Sequence, residues 1–142
     1  MLRHCSSVIA LAVMLVGLPT AHAADTTLTL ACQGTVIETM MEEEKKPEPI
    51  SMGIIVNFTN RTVQGFGHPG VIDYPVQITA WNEVTVAFRG SGVFGDQNIS
   101  IAGTIDRVTG DLEATNVFRG PKTQTEGRTQ YKLKCKPTQR MF

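Results

Sequence analysis

The sequence predicts an all-β domain: a single antiparallel β-sandwich or small up-and-down β-barrel of about seven to nine strands, stapled by one disulfide between the first and last strands. Three observations lead there. Apolar residues recur at every second position through most of the chain, and no window sustains a period of 3.6. Turn residues interrupt that alternation at short spacing. Cys32 and Cys135 stand near the two ends of the pattern.

The first 23 residues lie outside the alternation and read as a cleavable secretory signal. Arg3 supplies a positive n-region, Val8 to Leu18 an apolar run of 11 residues, and Ala21-His22-Ala23 a small-x-small cleavage site. That run is far shorter than the roughly 18 apolar residues of a spanning helix, so a soluble, periplasmic or secreted mature protein is expected. Removing 23 of 142 residues leaves 119, which is one domain's worth of chain. Arg3, His4, Cys5 and His22 leave with the signal, and 12 basic side chains then face 13 acidic ones. Such a balance argues against nucleic acid, whose phosphates demand many net cationic contacts. Cys5 precedes the apolar run, where it cannot serve as a lipid-attachment cysteine. An outer-membrane barrel ending on Phe142 would turn Arg140, Thr138, Lys136 and Lys134 toward lipid, which excludes that reading.

Cys32 and Cys135 are the pair that remains, and an even pair in an oxidising compartment predicts a disulfide. A two-thiol metal site would need further ligands at short spacing, and none lies near either cysteine. The bridge brings the first and last strands together and favours a closed sheet.

The elements follow in order. Leu28, Leu30, Cys32, Gly34 and Val36 share one face of a first strand, and Ile50, Met52, Ile54, Val56 and Phe58 one face of a second. Weaker strands are expected at Thr62 to Phe66 and Val76 to Ala80. Val84, Val86 and Phe88 follow, then Ile99, Ile101, Gly103 and Ile105, and finally Tyr131, Leu133 and Cys135 opposite Lys132, Lys134 and Lys136. Turns are expected at Thr59-Asn60-Arg61 and Trp81-Asn82-Glu83. The strongest hairpin signal is Asp106 to Gly110, where Asp106 can bind the turn backbone and Gly110 can take positive φ. Thr39 to Pro49 (TMMEEEKKPEP) reads as a mobile, charged, solvated loop.

No constellation here carries recognisable chemistry. His68 is the one histidine left after processing, so mechanisms needing two imidazoles are excluded and a zinc site lacks a short-spaced ligand pair. Ser51, Ser91 and Ser100 lack a nucleophile-elbow pattern. The carboxylates, among them Asp73, Asp96 and Glu113, fall in turns and on polar strand faces with nothing to pair them in a cleft. The chain therefore reads as non-enzymatic, without cofactor or metal. Gly65 to Pro75 (GFGHPGVIDYP) is the best candidate for a binding loop, with Phe66, His68 and Tyr74 as contact residues and Trp81 in the following turn. Phe94 is a further aromatic beside a turn. Lys132, Lys134 and Lys136 form a row suited to an anionic envelope polymer, or simply a solvated face that blocks edge pairing.

The hairpin GTIDRVTGDLEA (Gly103 to Ala114), the closing strand YKLKCKPTQRMF (Tyr131 to Phe142) and the L-x-C-x-G around Cys32 resemble those of a group of small exported bacterial proteins. The resemblance covers under a third of the mature chain and implies secretion and the hairpin, with no activity attached. The outline is also similar to small barrels of the lipocalin or avidin kind, without a ligand-site motif of either. Two functions are expected to compete: a periplasmic module binding a small ligand or partner, and an inhibitor or structural envelope protein that works without a pocket.

Overall fold

A computed structural model of the chain describes residues 27–41, 43–66, 74–120 and 126–138. Their nine strands are β1 (Thr27–Met40), β2 (Glu43–Glu44), β3 (Glu48–Asn57), β4 (Thr62–Gln64), β5 (Val76–Trp81), β6 (Thr85–Phe94), β7 (Gln97–Asp106), β8 (Asp111–Arg119) and β9 (Glu126–Pro137). From β3 onward each strand pairs antiparallel with the next, while β1 pairs with β3 along one edge and with β9 along the other. Eight strands thus close into an up-and-down barrel, and β2 folds back on the far end of β1 as a short hairpin. The β1–β9 ladder, from Leu30 opposite Pro137 to Met40 opposite Gly127, decides for a barrel over a sandwich.

Alternation explains which residues lie inside. Ile54 and Val56 on β3, Val86 and Phe88 on β6, Leu112 and Ala114 on β8, and Leu133 and Cys135 on β9 are buried, the members of each pair separated by one outward residue. Aromatic packing joins the strands across the interior. The Phe66 ring lies 5.1 Å from that of Phe88 and 5.8 Å from that of Tyr131. Phe88 is opposite Gly103, where an added Cβ would sit 2.6 Å from the end of its ring. The bare glycine gives the ring its place.

Cys32 and Cys135 are direct partners in the β1–β9 ladder, with Cα atoms 4.0 Å apart and a disulfide between them. The bridge spans 103 residues, a separation for which chain entropy gives roughly 4 to 5 kcal/mol. Beside it, the Asp106–Gly110 turn forms as the residues dictate. The Asp106 carboxylate accepts the N–H groups of Val108 and Thr109 at 2.8 Å each, and Gly110 has φ +78°. Gly110 then accepts the Cys135 N–H through its carbonyl at 2.7 Å, docking the turn on β9.

Three expectations need correction. The segment 39–49 is only partly a loop, because β1 runs on to Met40 against β9 and Glu43–Glu44 pairs back onto it. Val84 does not share the buried face of Val86: the Asn82 side chain accepts its N–H and makes it a turn residue, 49% exposed. Finally, β9 is bonded on both sides, so its lysines guard no edge.

Three variants test this account of stability. Replacing both Cys32 and Cys135 with Ala should lower unfolding free energy by about 2 to 5 kcal/mol in urea titration. Gly110→Ala should cost about 1 to 3 kcal/mol, because its Cβ would meet the Cys135 carbonyl oxygen at 2.3 Å in a left-handed conformation. Gly95→Ala, at φ +60° with nothing within 4 Å, should cost less.

Candidate interaction surface

In an antiparallel meander the β3–β4, β5–β6 and β7–β8 turns gather at one end of the barrel, and here they are tied together. Asn82 Oδ1 accepts the N–H groups of Val84 and Thr85 at 2.8 and 2.7 Å. Arg107 reaches across from the next turn, its backbone N–H donating to the Val84 carbonyl at 2.6 Å and its Nη1 to the Asn82 carbonyl at 2.7 Å. In the β3–β4 turn, Asn57 Oδ1 accepts the Asn60 N–H, and the Arg61 carbonyl accepts the Ile78 N–H of β5.

Four side chains stack on this base. The Arg107 guanidinium lies 5.5 Å over Phe58, whose ring is 6.4 Å from Trp81, and the Arg61 guanidinium lies 5.2 Å over Trp81. Each cation–π contact at an exposed site contributes about 0.5 to 1 kcal/mol, so the stack holds its members in place rather than holding the barrel together. Trp81 is 44% exposed, and the turn valines Val84 and Val108 are 49% and 74% exposed. Among the described residues neither arginine has a carboxylate partner. Arg61 has φ +54°, a conformation in which a side chain is strained and a glycine is not.

The residues singled out in the sequence fall in different places. Trp81 belongs to this end. Phe66 is in the core, 5% exposed, so its ring is packing rather than surface. Tyr74 is half-buried against Gly92 on the connection into β5, away from Trp81. His68 and the Phe94 side chain lie outside the described residues. Lys132, Lys134 and Lys136 do project from one outer face, but Lys134 is ion-paired to Asp111 at 2.8 Å and Lys132 stands opposite Glu113. The row is therefore partly neutralised. Arg61 and Arg107 escaped sequence reasoning because they are 46 positions apart and flank the Phe58–Trp81 pair only through strand register.

Two other features deserve their place in the geometry. Toward the opposite end the barrel interior turns polar, with Asn116 and Thr129 buried as direct partners across β8 and β9. Asn116 Oδ1 finds no hydrogen-bond partner among the described residues. On the outer wall of β5–β8 an open depression of about 680 Å³ is lined by Gln77, Thr79, Arg89, Ser100 and Thr115, among others. Among the described residues no three His, Cys, Asp or Glu side chains come together as metal ligands. No helix there is long and apolar enough to cross a membrane. Compared with protein families, curated proteins and solved structures, the chain matches none.

Acid should loosen the turn end. The N–H groups of Thr109 and Val108 hold the Asp106 carboxyl below its ordinary value of 3.8, and Lys134 followed by Thr109 does the same for Asp111. The unfolded chain thus takes up these protons at higher pH than the folded one. Their stabilisation is complete above the ordinary value and is lost as pH falls through the depressed ones. Asp106→Asn keeps an acceptor and removes one titration, so its melting temperature should fall less than that of the wild type between about pH 5 and pH 2. Parallel curves would assign the acid response to other carboxylates.

Proposed function

We propose that the protein is an exported, non-enzymatic interaction module of the bacterial periplasm, with the Trp81 end of the barrel as its working surface. One observation carries the reading: the Arg107–Phe58–Trp81–Arg61 stack leaves an exposed tryptophan between two arginines that have no carboxylate partner among the described residues. Tryptophan and arginine dominate binding hot spots. The tied turns order this surface before a partner arrives, which lowers the entropy lost on binding. Export is supported by the N-terminal signal pattern and the disulfide. The packed interior, with Phe66, Phe88 and Tyr131 in contact across it, favours recognition on the outside.

A second reading rests on Asn116. Its buried carbonyl oxygen beside Thr129 would be completed by a small ligand bearing an N–H or O–H donor.

Retention of a periplasmic partner on the immobilised protein separates the two. Trp81→Ala should weaken retention at least about tenfold, as truncation of a hot-spot anchor does, while Lys132→Gln leaves it unchanged. Equal retention by all three proteins would remove the Trp81 end from the function. A small metabolite that raises the melting temperature of the wild type but not of Asn116→Val would support the interior site instead.

A further inference from the structure

We infer that the Trp81 end receives a second copy of this chain, through the β1–β2 hairpin at the opposite end of the barrel. This rests on the reading of the Trp81 end as the working surface and names its partner. The hairpin is built by the overrun of β1: Thr39 and Met40 pair with Glu44 and Glu43, and the chain turns at Met41. Met41 faces solvent at 72% exposure, and Met40 is half-exposed at 49% with its sulfur lying against Gly127. Glu43 and Glu44 are exposed and, among the described residues, have no ion pair, whereas Glu38 is taken by Lys45 at 2.7 Å.

The two ends complement each other group by group. The Trp81 end offers two aromatic rings and two arginines without a carboxylate partner among the described residues, and the hairpin offers the exposed Met41 thioether, the half-exposed Met40 and two carboxylates that have no ion pair among the described residues. Thioethers pack well on aromatic rings, and carboxylates accept charge-assisted hydrogen bonds from guanidinium groups. Backbone conformation marks the same two places. The non-glycine residues with positive φ among those described are Met41 at +50° and Arg61 at +54°. At each, a glycine would relieve strain and remove the side chain that the contact uses.

A hairpin at one end of the barrel cannot reach the turns at the other end of its own chain. The contact therefore joins different copies, and because the two patches differ it is heterologous: it makes head-to-tail chains, or a ring if the rotation closes. Exposed Glu83 in the β5–β6 turn and Asp106 in the next oppose an anionic bilayer laid across the whole end, whereas a two-residue hairpin edge has to meet only Arg61 and Arg107.

Sedimentation equilibrium of the protein purified after export tests the contact. The weight-average mass should rise with concentration at low salt and fall back as salt is added. Arg61→Gly and Met41→Gly should melt no lower than wild type yet associate at least about tenfold more weakly. Arg61→Glu and Glu43→Lys should each abolish association alone and restore it when the two are mixed. A wild type that remains monomeric at every concentration, glycine variants that associate as tightly as wild type, or charge variants that fail to rescue each other would overturn the inference. Flotation with phosphatidylglycerol vesicles keeps the two readings apart. A monomer captured by vesicles through Trp81 overturns self-association and leaves the Trp81 end as the working surface.

Discussion

The seam between β1 and β9 is the constraint on which the rest of the molecule depends. A meander of short strands has two edges, each with a row of unpaired N–H and C=O groups. Here the first strand lies against the last along Leu30 to Met40, and both edges vanish into one ladder. Closure also defines the inside, so that period-two alternation along every strand delivers its apolar residues to a common core. The disulfide sits within this seam as a directly opposed pair. It acts on the pairing of the two strands that lie farthest apart in sequence among those that pair.

The two ends of the barrel are made differently. At the Trp81 end, side-chain acceptors of Asn57, Asn82 and Asp106 satisfy turn amides, and Arg107 links neighbouring turns. These are local bonds of modest worth, about 0.5 to 1.5 kcal/mol each, but together they hold side chains from separate turns in register with one another. At the opposite end β1 continues past its pairing with β3, which stops at Val36 opposite Glu48, and β2 takes up its outer edge. The molecule therefore has one end whose turns are tied together around Phe58 and Trp81 and another from which a short hairpin projects.

How far the sequence could be read depended on the range of the interaction concerned. Local rules were legible: the inward faces of β1, β3, β7 and β9, the Asx-type turns at Asn82 and Asp106, and positive φ at Gly110. The pairing of Cys32 with Cys135 was legible as well, since the two stand near the ends of the alternating pattern and neither has metal ligands at short spacing. What depended on three-dimensional closure was not. Phe66 looked like a loop aromatic because glycines flank it, yet it fills the space between Phe88 and Tyr131 on strands far along the chain. The TMMEEEKKPEP segment looked wholly irregular because its charge masks a continuation of β1 stabilised by β9. Of the candidate site, Trp81 could be found from its turn. Its arginine neighbours could not, because nothing in the spacing of 61, 81 and 107 says that they converge.

The position of the bridge along the seam gives the barrel a gradient of local stability. Below Cys32 and Cys135 the seam has the disulfide, the Gly110–Cys135 bond and the Thr138–Thr29 bond. Above them, from Gln33 opposite Lys134 to Met40 opposite Gly127, the described residues show the ladder, side-chain contacts and, on β1, one further backbone bond from the Lys45 N–H to the Glu38 carbonyl. Partial opening of such a closed sheet begins where the fewest constraints must be broken. Amide protons of Val36 to Met40 and of Gly127 to Tyr131 should accordingly exchange through a sub-global opening, and those near Cys135 through unfolding of the whole barrel.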